Sequence, residues 1–396
     1  MRFSLLGDHP DGLNMAHALV ATGRHQLASH VGSSKAAESL RHLGLQPGRV
    51  GDIEEVLADP AVEAVIVAGS LDNRPGQLRR ALQSERHVLC VHPADRTPDA
   101  AYEAALIQGD THHVLLPLLP EALHPGVQRL VDLVRDPAGP LGELRLVEME
   151  RWSPGAVLIE AGRADAKPSL PGWDVLRAVG GEIGEVSAYA AAEHATPDDL
   201  VLLAGRFERG GLFQMSLIPG RPEPRWRLAV LGTGGEAELA FAGGWPGPAV
   251  LRWHDQSGEV REETWDAWDP WPTLVQVFES AAAQATTAKP GSRLTWQDAV
   301  RALELDDAAR RSIERRRTSA LDYQEVSEEV GFKGTMTLVG CGLIWVMLLL
   351  WILSRWFRPL AWVILPLLVI FLGLQLLRWV IPANRPPAPE ERDNGR

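Results

Sequence analysis

Asp52-Ile53-Glu54-Glu55-Val56-Leu57-Ala58-Asp59-Pro60-Ala61-Val62-Glu63-Ala64-Val65-Ile66-Val67-Ala68 is the stretch on which the fold turns. Residues 52–57 read as a short helix opened by Asp52, an acid suited to cap an N-terminus. Residues 62–68 are an almost unbroken β-branched run, which marks a strand covered on both faces. A strand of that kind belongs inside a parallel sheet, and its neighbours agree. Towards the N-terminus, residues 2–6 form an apolar strand ending at Gly7, residues 13–22 have helical periodicity stopped by Gly23, and residues 26–31 read as a second strand. Towards the C-terminus come a helix at 74–84, a strand at 87–91, a helix at 99–108 and a strand at 113–116. Strands alternating with helices imply right-handed crossovers and a doubly wound α/β domain.

The pattern changes after about residue 140. Residues 144–152, 185–192, 200–207, 212–217, 225–231, 236–241, 250–254 and 259–265 read as consecutive strands. Gly210-Gly211, the glycine-rich 232–235 and Gln256-Ser257-Gly258 supply turns between them. The expectation is an α+β domain with a large, mostly antiparallel sheet, followed by helices at 274–286 and 295–315 that pack back on the body. The domain boundaries expected are 1–120 and 121–323, then a polar linker at 324–333, an apolar region at 334–381 and a disordered tail at 382–396.

Within that apolar region, residues 334–354 carry no charge, and residues 359–379 carry only Arg378, close to the end. Each is near the roughly 20 residues that cross a bilayer core. The link Arg355-Trp356-Phe357-Arg358 is very short, so the two stretches read as a transmembrane helical hairpin with both flanks on one side, the alternative being a pair of buried core helices. That side carries Arg315, Arg316, Arg317, Lys333, Arg378, Arg385, Arg392 and Arg396, which places the folded part in the cytoplasm. Trp351, Trp356, Trp362 and Trp379 lie near the span ends, where interfacial tryptophans collect. Residues 1–6 are too short for the apolar core of a signal peptide. The net charge of −12 argues against a nucleic-acid partner. Two cysteines, Cys90 and Cys341, make no disulfide framework, and no Cys/His spacing supports a metal site, including one built from His9, His92 and Asp72.

The order of elements resembles the glucose–fructose oxidoreductase/inositol dehydrogenase (Gfo/Idh/MocA) family. The resemblance is carried by residues 52–68, by Ala81-Leu-Gln-Ser-Glu-Arg-His-Val-Leu-Cys90, by Leu231-Gly-Thr-Gly-Gly-Glu236 and by Thr295-Trp-Gln-Asp-Ala-Val-Arg-Ala-Leu-Glu304. It covers about residues 1–320 and is looser in the second half. It implies a Rossmann-like NAD(P)-binding domain, a sheet domain bearing the substrate, hydride transfer on sugars or cyclitols, and a homodimer paired through the exposed sheet face.

The motif positions depart from that family. Its phosphate loop reads here Gly7-Asp8-His9-Pro10-Asp11-Gly12: the outer glycines stand, His9 fills the middle position, Pro10 lacks an N–H, and Asp8 and Asp11 add negative charge. The second strand ends in Gly32-Ser33-Ser34-Lys35, without the carboxylate that would hold a ribose; Ser33, Ser34 and Lys35 suit a 2′-phosphate, so NADP is expected over NAD if either binds. The E-K-P motif reads Val91-His92-Pro93, so a cofactor-contacting Pro93 stands and His92 replaces the catalytic lysine; a histidine can still move protons. In the second domain Asp174 matches the trailing acid of the family's D-x-G-x-H-x-x-D run, while Lys167, Ser169 and Pro171 replace the first acid, the glycine and the histidine base. No histidine lies between His124 and His194 to restore that base.

Three readings follow. The chain is a pseudoenzyme with a binding or scaffold role, alongside a membrane protein partner. Alternatively it is a divergent active NAD(P)-dependent oxidoreductase using His92 on a sugar-like substrate, or a membrane-tethered metabolite sensor. The aromatic run around Trp265, Trp268 and Trp271 is expected to pack the last strand on the following helices.

Overall fold

In the computed structural model, residues 1–109, 111, 113–154, 170–190, 199–255, 257–285, 294–316 and 318–321 are described. By contacts the chain divides into Met1–Tyr323 and Gln324–Arg396. The expected hairpin at 334–354 and 359–379, its linker and its tail lie outside the described residues. Among the described residues no helix is long and apolar enough to cross a membrane.

The first half alternates β1 (Arg2–Gly7), α1 (Pro10–Ala21), β2 (Gln26–Val31), α2 (Ser34–His42), β3 (Gly48–Arg49), α3 (Ile53–Ala58), β4 (Ala64–Ala68), α4 (Arg74–Gln83), β5 (His87–Val91), α5 (Asp99–Gly109) and β6 (Leu115–Leu118). All six strands are parallel, in the order β3-β2-β1-β4-β5-β6. The direction of winding reverses between β1 and β4, which opens a crevice at their carboxyl ends. Every residue of β4 is buried, as its β-branched composition requires. Asp52 caps α3 by accepting from the Glu54 amide at 3.1 Å. β6 begins two residues later than expected: the Val114 amide is drawn to His87 Nδ1 at 3.0 Å, and Pro117 sits where only an edge strand tolerates it.

After a 3-10 turn at Glu121–Leu123 come α6 (Pro125–Arg135), β7 (Leu144–Trp152), α7 (Trp173–Gly180), β8 (Ile183–Ala190), β9 (Val201–Phe207), β10 (Leu212–Ile218), β11 (Arg225–Gly232), β12 (Gly235–Phe241), β13 (Ala249–Asp255), β14 (Val260–Trp265), α8 (Pro270–Ala285), α9 (Trp296–Arg315) and β15 (Ser319–Ala320). The second sheet has nine strands, in the order β14-β13-β12-β11-β7-β10-β9-β8-β15. Its pairings are antiparallel except β7 with β10, so the sheet is mixed, with one parallel seam. One face alternates into a core through Val147, Met149, Phe213, Met215, Leu228 and Val230.

Two late helices carry the body. α8 packs on α1 through Leu274 and Phe278, which join the core of the first sheet beside Leu19. α9 is buried along most of its length: Trp296 and Leu303 face the first sheet, while Leu305, Ala309 and Ile313 join the core of the second. A Thr295–Asp298 capping box starts α9.

Candidate functional site

A cleft of about 680 Å³ opens at the carboxyl ends of β1, β2 and β4, lined among others by Gly7, Asp8, His9, Gly32, Ser70 and Gln77. Gly7 and Gly12 are required by steric fit. Gly7 has φ +116°, and a Cβ there would lie 2.2 Å from the backbone of Ala68. At Gly12 a Cβ would lie 2.3 Å from the Ala68 Cβ, so this glycine lets α1 rest on β4.

The loop between them is closed upon itself. The amides of Asp8 and His9 both donate to the Ala68 carbonyl at 3.0 Å. Pro10 has no N–H. The Asp11 amide donates to His9 Nδ1 at 3.2 Å. From Asp8 to Asp11 the donors that a phosphate would need are therefore used or missing. The ring of His9 caps α1 because its Nδ1 stands as many bonds from Cα as the Oδ1 of an asparagine cap.

At the end of β2, where residues 32–35 carry no carboxylate, Asp8 brings one from the loop after β1. Its Oδ1 and Oδ2 accept from the Ser33 amide at 3.0 and 3.2 Å, and Oδ1 lies 3.6 Å from His30 Nε2. A Cβ at Gly32 would come within 2.2 Å of Asp8 Oδ1, so the glycine after β2 and the acid after β1 are one arrangement. The Ser33 hydroxyl is turned inward, accepting from the Ala36 amide to cap α2. Ser34 and Lys35 lie exposed on the first turn of α2 and do not line the cleft.

His92 is buried behind the cleft, on a cis bond to Pro93. Burial, then the nearby Arg74 guanidinium, lowers its pKa to about 3, so the ring is neutral, and its Nδ1 is enclosed without a hydrogen-bond partner. Arg74 is fully buried at the start of α4; its Nε and Nη2 donate to the Gly69 carbonyl at 3.1 and 2.8 Å, and Nη1 donates to the carbonyl of Pro93. Arg96 donates to Asp72 Oδ1 at 2.8 Å.

The second-domain motif residues lie elsewhere. Lys167 and Ser169 fall outside the described residues; Pro171 is buried and offers no proton acceptor. Asp174 accepts from the Ala122 amide at 3.2 Å, tying α7 to the turn after β6. Burial, then the Glu121 carboxylate, raises its pKa to about 7. Glu121 is itself held by Arg151 through two bonds of 2.7 and 2.9 Å. His124 is enclosed by Phe241, Trp245, Trp265 and Trp268 and caps α6 through the Gly126 amide at 3.0 Å. It does not meet His9 in the cleft, and the tryptophan segment packs inward as expected. Among the described residues no group of three metal-ligating side chains comes together.

The comparisons bear on this arrangement. No protein-family model and no curated protein matches the chain. Solved structures do. Levoglucosan dehydrogenase in complex with NADH and L-sorbose superposes with a TM-score of 0.67 at 15% identity, covering 82% of this chain and 99% of that one. UDP-N-acetylglucosamine 3-dehydrogenase from Acidithiobacillus ferrooxidans does so at 0.63 and 19%, covering 80% and 98%. An oxidoreductase from Agrobacterium radiobacter with NAD+, L-tartaric acid and magnesium gives 0.64 at 14%, covering 81% and 98%. The fold is a dehydrogenase fold. At such identity the likeness extends to the fold alone, and the loop from Asp8 to Asp11 does not fit a bound pyrophosphate: the Asp8, His9 and Asp11 amides are engaged, Pro10 has none, and the Asp8 carboxylate lines the same cleft.

Proposed function

We propose that this protein is a pseudoenzyme on a dehydrogenase scaffold, which has exchanged hydride transfer for a binding or scaffold role at a membrane. The observation that carries this reading is the self-satisfied Gly7–Gly12 loop, where the Ala68 carbonyl and the His9 ring take the amides of Asp8, His9 and Asp11. The chemistry beyond the loop agrees. Hydride transfer from an alcohol needs a proton acceptor at its hydroxyl. His92 is buried and a poor base, and Pro171 has none to offer. The 2′-phosphate expected at Ser33, Ser34 and Lys35 would meet Asp8 on the Ser33 amide, which argues against the NADP preference.

The membrane belongs to this proposal through the two apolar stretches at 334–354 and 359–379, with the folded part on the cytoplasmic side. So does a homodimer through the exposed sheet face, where Leu212 and Leu231 stand 51% and 47% exposed.

The competing reading, an active NAD(P)-dependent oxidoreductase on a sugar-like substrate, draws on the fold and the open cleft. Turnover decides between them. The full-length protein with NAD+ or NADP+ and a panel of sugars and cyclitols is expected to produce no reduced cofactor. Turnover that disappears in His92→Ala would establish the enzyme instead.

A further inference from the structure

The register of the second sheet orders its outer face into rows. Val147, Met149, Phe213, Met215 and Leu228 point into the core, so by alternation their neighbours along each strand point away from it. At one end of β10, Leu212 lies beside Leu146 of β7, and Leu146 beside Leu231 of β11; this row holds the leucines assigned above to a second copy. A different row stands at the other end. Tyr189 of β8 lies across from Leu202 of β9, and Leu202 across from Ser216 of β10. Leu200 continues the same side of β9. Ile218 of β10 lies beside Trp152 of β7, and Trp152 beside Arg225 of β11. Leu212 and Ile218 are about 20 Å apart along β10, so the two rows are separate surfaces.

Tyr189, Leu200 and Leu202 are 64%, 44% and 39% exposed, and Ile218 and Trp152 are half-buried. The guanidiniums of Arg221 and Arg225 lie 5.6 and 5.0 Å from the centre of the Trp152 ring. Glu150, 3.8 Å from Arg225, and the exposed Glu223 offset these two cations, so the patch is apolar and aromatic rather than charged. Leucines joined by tyrosine and tryptophan, rimmed by arginines whose stems lie along apolar surface, suit the headgroup boundary of a bilayer. The chain also leaves the described fold beside this face. β15 pairs with β8, and the Leu321 amide donates to the Gly184 carbonyl at 3.0 Å. From Gly184 to Tyr189 is about 17 Å of strand. The residues between Leu321 and the apolar stretch that starts at 334 span at most about 40 Å when extended. A bilayer held by that stretch is within reach of the patch, and a tether so short keeps the two together at an effective concentration on the order of millimolar.

We infer that Tyr189, Leu200, Leu202, Ile218 and Trp152 form a docking surface for the lipid bilayer, which seats this end of the outer sheet face at the membrane. The inference rests on the reading above, that residues 334–354 and 359–379 span a membrane, and adds which surface of the folded part meets it.

The test uses the full-length protein carrying Cys341→Ser, in which the remaining thiol, Cys90, is buried. Ser216→Cys places a nitrobenzoxadiazole label beside Leu202, and Leu106→Cys places it on the exposed side of α5 as a control. Each protein is reconstituted in phosphatidylcholine vesicles containing doxyl-labelled lipid, and flotation with the vesicles reports insertion. The label at 216 is expected to be quenched at least about threefold more than the label at 106, because only the former lies against acyl chains. Tyr189→Asp combined with Leu202→Asp, both at exposed positions, is expected to bring the 216 label down to the level of the control. Equal quenching at 216 and 106 in floated protein would overturn the inference, and so would quenching at 216 that survives the two aspartates. Self-quenching of the 216 label that grows with protein per vesicle, without quenching by lipid, would give the surface to a second copy and overturn it as well. Protein that fails to float would overturn the membrane reading beneath it, and the inference with it.

Discussion

Three His-Pro pairs do different work in this chain: His9-Pro10, His92-Pro93 and His124-Pro125. The first and last open helices, each ring accepting from the amide two residues on. His9→Asn is therefore expected to leave stability within a few tenths of a kcal/mol, whereas His9→Ala should cost about 1 kcal/mol, both read by urea unfolding. Gly12→Ala should cost about 1–3 kcal/mol, because the new methyl meets the Ala68 Cβ across the α1–β4 contact. The pH response has two sides. His92 and His124, with pKa values lowered to about 3 and about 4, bind protons less readily folded than unfolded. Their contribution is whole above about pH 6.5 and is lost as pH falls towards those values. Asp174, raised to about 7, binds its proton more readily when folded, so its cost grows as pH rises from about 3.8 to 7 and stays thereafter. Asp174→Asn should then raise the Tm more at about pH 8 than at about pH 5, and least at about pH 3.5; an equal shift at all three would remove the protonation argument. The Asp8–Gly32 exchange was not legible, since a motif is read along one strand and this carboxylate arrives from another.

At the scale of elements, what the chain wrote as periodicity was readable. The run at 62–68 became the buried β4, and 144–152 became β7. The strand expected at 185–192 begins two residues earlier, at Ile183, with only Glu182 between it and the positive-φ Gly181 that closes α7; residues 191–192 lie outside the described residues. α6 escaped notice because a His-Pro start is a rare cap, although its Val127, Leu130, Val131 face is strongly amphipathic. The single parallel seam between β7 and β10 also escaped, since strand order is set by packing and not by local pattern. α4 offers a test at this scale. Arg74→Met removes the guanidinium joining the Gly69 and Pro93 carbonyls, and each carbonyl left without a donor should cost about 1–3 kcal/mol in denaturant unfolding.

For the whole molecule, the scaffold and the site tell different stories. The doubly wound sheet, the large mixed sheet and the α9 strut reproduce a dehydrogenase fold, and that much followed from alternation and turn spacing. The site did not follow, because fold sets where a ligand lies and individual atoms set which ligand it is. The proposed anchor is tested by fractionation: the full chain should pellet with membranes and resist high salt, and deletion of residues 334–379 should release it. The central claim, that the Gly7–Gly12 loop has given up its phosphate, is tested most directly by titrating the full-length protein with NADH and with NADPH by calorimetry. The account expects no heat of binding up to millimolar cofactor. Micromolar binding of either would contradict it.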